Sequence, residues 1–329
     1  MAVKGDNLTK LLFIAGGVFV LIYPFIVRAA FYQHIMIMVF MYGLLAVSWD
    51  LMGGYASLFS FGHSAFFGIG AYTSTVLLIR WGISPWLGML AGGCASGIVG
   101  IIISYPTSRL RGHYFAIATL ALLFVIKVLI ENWKFIGAAQ GLSVPLLKES
   151  SLLYFQFHGS KIPYYYIMLA FLVLGVVLAK AAITSKIGYY LRALRESPEV
   201  AQSLGVNTVK YRLIAITLSA FLAAISGTFY AQYVLYIDPP SVISLMLSVH
   251  VVLISVFGGT GTINGPLLGT IILIPLINLI NAWLGGAGRG IAFMVFGAII
   301  IVVCLIQPDG LIKYFEKWGA FKGREHEIA

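Results

Sequence analysis

The sequence predicts an all-α, polytopic membrane protein built as a single domain over residues 1–329. Three observations predict it. Hydrophobic residues make up 60% of the chain and charged residues only 10%, against about 25% charge in an ordinary soluble domain. Too few charged groups exist to clothe a water-facing surface. Apolar stretches of roughly 20 residues, the length of one span, recur often enough for about ten transmembrane helices. No period-two barrel pattern interrupts them, and lipid offers bare backbone no partner, so helices are required.

The elements follow in order. Charge, Pro or Gly bounds ten apolar stretches: 11–27, 33–52, 63–79, 86–104, 113–131, 164–182, 211–232, 241–258, 266–284 and 290–307. The first follows Lys4 and Lys10 but shows no small-x-small cleavage site before Arg28, so an uncleaved span is expected rather than a signal peptide. Net charge is +10, and its distribution reads as topology rather than nucleic-acid binding. With the N-terminus inside, inside segments carry fourteen of the 21 basic residues, among them Arg109, Arg111, Lys186, Arg192, Arg195, Lys210 and Lys313. Outside segments carry Arg28, Arg80, Lys134, Lys148, Lys161 and Arg289. That bias places both termini, including the tail 308–329, in the cytoplasm. Trp81, Trp86 and Trp133 fall near the outer boundaries, as an aromatic belt does.

Two connections exceed simple turns: an external loop at 132–163 and a charged cytoplasmic segment at 183–210. Gly-rich breaks follow the second and eighth stretches, at Gly53-Gly54 and Gly258-Gly259, with a faint likeness between them.

Signatures of covalent chemistry are absent: no HExxH, CxxC, GxSxG or GxxxxGK[ST] occurs, and no acidic cluster has metal-ligand spacing. Cys94 and Cys304 lie in apolar stretches, where burial is expected, and form neither a disulfide framework nor a metal set. The chain therefore carries no cofactor of its own. The informative stretch is 183–210. Ser197 suits an N-cap, Pro198 the first helical position, and Glu199 the first turn. Gly205 suits a left-handed stop. The result is a two-turn cytoplasmic helix whose Ala201 and Leu204, three apart, share an apolar face fit for a partner's groove. A plain surface turn is the alternative.

Glu199-Val200-Ala201 followed by Gly205 resembles the EAA-type coupling loop of ABC importer permeases. The surroundings, Leu191 to Glu196, Gly205-Val206-Asn207 and Tyr211-Arg212, are similar to the branched-chain amino-acid permease family, specifically its LivM-type subunit. Four further blocks agree: Gly54 to Tyr72, Arg111 to Ala121, Val256 to Gly269, and Gln307-Pro308-Asp309-Gly310-Leu311. The resemblance implies a multi-pass permease of the bacterial inner membrane. Its implied partners are a second, LivH-like permease, two cytoplasmic ATPase subunits that hold ATP and Mg, and an external substrate-binding protein. It implies that Arg192, Arg195, Glu196, Glu199, Ala201, Leu204 and Gly205 couple to the ATPases. The implied cargo is a branched-chain or other hydrophobic amino acid. Gly137-Ala138-Ala139 replaces the family's usual Thr-Gly-Gly, and Phe124 stands where a Glu is common. Urea, short amides and aromatic acids therefore stay open as cargo.

Candidates for the substrate path are Asp50, Gly62, His63, Phe66, Tyr114 and Lys127. Intramembrane ionisable groups are costly and mark pathways or pairing. Asp50 suits either a helix-end hydrogen bond or the path. His63 opens a helix after a Gly-rich break, where free backbone groups could meet cargo. Lys127 either snorkels or captures a carboxylate, and His250 either bonds a neighbouring helix or relays protons. An ion-coupled secondary transporter relying on Asp50, His63, Lys127 and His250 is the rival to an ATP-driven importer; a passive channel is the other.

Overall fold

A computed structural model describes residues 16–317, apart from 108–109, 111, 148, 285–287 and 308–309. Lys4, Lys10, Arg109, Arg111, Lys148, Pro308, Asp309 and the tail beyond 317 lie outside the described residues, as do the side chains of Arg289, Cys304 and Lys317. The architecture is all-α. In order come α1 (Gly16–Ile26), α2 (Ala30–Gly53), α3 (His63–Trp81), α4 (Pro85–Thr107), α5 (His113–Asn132) and α6 (Ile162–Thr184). The charged connection forms α7 (Lys186–Glu196) and α8 (Pro198–Ser203). Then follow α9 (Thr208–Val234), α10 (Pro239–Val242), α11 (Leu245–Gly258), α12 (Asn264–Leu284), α13 (Gly288–Ile306) and α14 (Leu311–Lys317).

Among the described residues six single helices are long and apolar enough to cross a bilayer, α2, α4, α5, α6, α9 and Asn264–Trp283, and a seventh candidate stretch, Pro239–Gly258, reaches that length only as α10 and α11 together. Of the other three expected stretches, 11–27 and 290–307 are described only in part and α3 is more polar. The apolar runs in α1 and α13 are Gly16–Ile26 and Met294–Val303, and α3 carries Ser64, Thr73, Ser74 and Thr75.

The two ends of the bundle are defined by what meets there. At one end the start of α2 meets the start of α6, where Lys161 Nζ donates to Ala30 O at 3.4 Å. The end of α3 meets the loop after α5, where Arg80 donates to Phe135 O at 3.3 Å. Leu142–Ser143 pairs antiparallel with Tyr236–Ile237 at the same end. The described residues of the loop 133–161 thus form a cap, with Phe155 buried against Trp86, Tyr164 and Phe229. At the other end lie α7, α8, the close of α2 and the turn between α11 and α12.

α2 is the hub, packed on α6, α9, α11 and α12 and buried along nearly its whole length. α3, α4 and α9 form a second tight group. They approach through small residues: Gly70 lies on Ala224 and Gly227 on Phe67, the close-contact device of membrane helices.

Two helices begin inside the bundle. The segment 54–62 turns back from the α8 end with Ala56, Leu58 and Ser60 buried, and His63 starts α3 level with Ser48, whose Oγ lies 2.7 Å from His63 Nε2. From the opposite end, 236–244 dips inward with Ile237, Val242 and Ile243 fully buried. The predicted span 241–258 is accordingly not one helix. The chain is extended at Ser244, and α11 has 14 residues, about 21 Å at 1.5 Å per residue, short of a bilayer core of about 30 Å. The two starts lock together. Ser64 N donates to Ser248 Oγ at 2.9 Å, Ser64 Oγ donates to Ser244 O at 2.7 Å, and Ser248 Oγ donates to Ser64 Oγ at 2.9 Å. Such non-helical backbone survives at membrane depth only inside protein, which is where both segments lie.

Candidate functional site

The charged connection is built as two capped helices. Ser185 accepts from Ile187 N at the start of α7, and Ser197 accepts from Val200 N at the start of α8, with Pro198 at its first position. Gly205 ends the unit at φ +86°, in the left-handed region that favours glycine. Arg192 donates to Ile183 O at 3.2 Å and so ties α7 to the end of α6. Tyr190 packs on Tyr211, ring centroids 4.4 Å apart, and ties α7 to α9. The expected shared face of Ala201 and Leu204 is not formed. Ala201 is buried, at 2% exposure, whereas Leu204 is 79% and Val200 58% exposed. The physical reason is spacing: six residues hold Ala201 inward, so Val200 and Leu204, four apart, carry the outward apolar surface.

Arg195, on α7, reaches the bundle. Its guanidinium lies against Gly261, at φ +77°, where a Cβ would collide with it. The N–H of the same Gly261 donates to Asp50 Oδ1 at 2.8 Å. Asp50 is 2% exposed, and its backbone carbonyl also accepts from Gly54 N and Tyr55 N at 2.8 and 3.0 Å. Gly310, which precedes α14, rests on Gly259. The two Gly-rich breaks therefore meet, with Asp50 bridging them and Arg195 above the junction. One path candidate and one coupling candidate have come together at a single place.

The other path candidates divide into two groups. Gly62, His63 and Phe66 gather at the start of α3 against α5. A Cβ at Gly62 would stand 2.8 Å from Thr119 O, and Phe61 N donates to Thr119 Oγ1 at 3.1 Å. Gly62, Phe66 and Thr119 line a cleft of only about 20 Å³. Ser48 Oγ donates to Leu45 O, so it receives the Nε2–H of the buried His63. Tyr114 and Lys127 lie elsewhere on α5: Tyr114 is 73% exposed, and Lys127 pairs with Glu131 at 3.8 Å, one helical turn on. Cys94, expected to be buried, is exposed on α4, because the small-residue face of that helix at Gly93 and Gly97 is the one that packs on α9.

Sequence reasoning missed the Ser64–Ser248 lock and the pair formed by His34 and Tyr233, whose Nδ1 and Oη lie 2.7 Å apart. A serine or histidine in an apolar run carries no spacing signal.

The sequence pattern of the family described as branched-chain amino acid transport system / permease component matches residues 31–304. The chain belongs to that family. The permease is 25% identical to the high-affinity branched-chain amino acid transport system permease protein LivM of Salmonella typhimurium, over 94% of this chain and 77% of the relative. It is 26% identical to LivM of Escherichia coli, over 98% of this chain and 81% of the relative. It is 26% identical to LivH of Salmonella typhimurium, over 82% of this chain and 91% of that one. No solved structure matches it. Membership makes this chain a multi-pass permease subunit of an ABC importer, a transport component rather than an enzyme. Among the described residues no group of three or more His, Cys, Asp or Glu could hold a metal ion.

Proposed function

We propose that the permease forms half of the translocation path of an importer for branched-chain or other hydrophobic amino acids, and that α8 is the lever by which ATPase subunits move it. One observation carries this reading: a six-residue capped helix that turns Val200 and Leu204 outward while anchoring Ala201. Two exposed apolar residues four apart on a rigid, charged projection suit a groove on a soluble partner. The remaining partners are a second permease and an external binding protein facing the 133–161 cap. The α8 end is cytoplasmic, as are both termini.

Force has a physical route inward. A displaced α8 carries α7, whose Arg195 rests on Gly261. That turn joins α11 to α12 and is bonded to Asp50 of the hub helix. ATPase closure, making different contacts in two states, would rock these helices as rigid bodies.

The test is Leu204→Glu in the assembled transporter. A buried charge without a partner is strongly unfavourable, so co-purification of ATPase is expected to fall about tenfold and uptake with it, while the permease stays folded in detergent. Full ATPase stoichiometry with normal uptake would refute the lever.

A further inference from the structure

Two cavities adjoin at the end opposite α8. The outer one, about 850 Å³, is a vestibule between the α1–α2 turn, the cap and the close of α9, and its lining includes Arg28, His34, Lys161 and Tyr233. The inner one, about 300 Å³, lies between α2, α9, α11 and α12. The cavities share His34 and Val234. His34 stacks on Tyr233 with centroids 5.6 Å apart and planes 11° from parallel, and their 2.7 Å hydrogen bond fixes the pair at the junction.

The chemistry is asymmetric. The vestibule presents two cations, Arg28 and Lys161, and among the described residues neither cavity is lined by an Asp or Glu. Met38, Met41, Ile274 and Ile277 wall the chamber, which also holds Tyr42, Tyr230, His250 and Asn278. Small-molecule sites are mostly apolar with a few placed polar groups, and 300 Å³ is at the small end of their range. Thioether side chains adapt to varied apolar shapes.

We propose that this vestibule and chamber, inside one permease subunit, form a cargo site that selects small carboxylates with an apolar tail. Arg28 and Lys161 receive the carboxylate, and the tail enters the chamber past His34 and Tyr233. This rests on the importer reading, and it adds a specificity that reading lacks: the site recognises the acid end, and its lining residues offer an ammonium group no charged partner. An aliphatic acid therefore binds at least as well as the matching amino acid, and the matching amine does not bind.

The experiment uses the full-length permease in nanodiscs of zwitterionic phosphatidylcholine, titrated with 4-methylpentanoate, L-leucine and isoamylamine. Both carboxylates are expected to bind and to compete with each other, and isoamylamine to give no saturable signal. Arg28→Gln with Lys161→Gln is expected to weaken both carboxylates about tenfold, since each loses a charge-assisted hydrogen bond. Val234→Trp, which fills the junction, is expected to abolish binding of both. Unchanged thermal unfolding of each variant shows that it folds. Saturable binding of isoamylamine, undiminished carboxylate affinity in the double variant, or no carboxylate binding in the millimolar range would overturn the site. Loss of carboxylate binding in phosphatidylglycerol nanodiscs would overturn it in favour of an anionic lipid. No ATPase takes part, so failure of the α8 lever leaves these readings untouched.

Discussion

Asp50 shows how much one side chain can decide at the residue scale. Its position in an apolar run marked it as costly, but the sequence could not say whether cargo or backbone would satisfy it. Oδ1 accepts from Gly261, 211 residues away, a partner no local pattern names. An amide oxygen still accepts that bond, though without the charge assistance of a carboxylate. Asp50→Asn is therefore expected to unfold in detergent at nearly the wild-type temperature. Asp50→Ala, which strands the Gly261 N–H, is expected to lose about 1–3 kcal/mol. Equal unfolding of all three proteins in a detergent melt would show that the bridge is not structural. Arg195 was legible as part of a basic segment, whereas its seat on Gly261 depends on the turn being glycine at φ +77°.

At the scale of elements, capping chemistry was the most readable feature. Ser197, Pro198 and Gly205 each signal a helix boundary through backbone physics that does not depend on the rest of the fold, and each sits where that physics requires. Which face α8 turns outward was not legible, because the packing of Ala201 decides it. The break before α11 was hidden for a different reason. Ile243 and Ser244 interrupt the helix without a charge, a proline or a drop in hydropathy large enough to see; Ser244 caps the new start through Leu247 N, and Ser64 of α3 donates to Ser244 O. Ser64 and Ser248 close that exchange across 184 residues. A double-mutant cycle of Ser64→Ala and Ser248→Ala should return a coupling energy, since Ser248 Oγ donates to Ser64 Oγ. Interhelical hydrogen bonds in membranes are worth about 0.6 kcal/mol on average and up to about 1.7. Strict additivity in equilibrium unfolding would mean that the two helix starts are held by packing alone.

At the scale of the whole molecule, hydropathy located the helices because burial in lipid acts on composition, residue by residue. It left undetermined which helices pack centrally. α2 and α6 are comparably apolar, yet 89% of the α2 window and 22% of the α6 window is buried in the bundle. Orientation comes from a different force. Lys186, Arg192, Arg195 and Lys210 belong to the α7–α8 end, and short loops rich in such residues resist translocation. Turning the bundle over would carry that cluster outward and leave Arg28 and Lys161 within, which is the arrangement the charge bias disfavours. The prediction is direct. In a Cys94→Ser, Cys304→Ser background, cysteines at Leu153 (60% exposed) and Val200 (58% exposed) present similar surface at opposite ends. A membrane-impermeant maleimide applied to intact spheroplasts should label Leu153→Cys and spare Val200→Cys, and inverted vesicles should reverse the pattern. Labelling of Val200→Cys from outside would place the lever where no cytoplasmic motor could reach it. The importer mechanism would then fail as a whole, whatever the cavities bind.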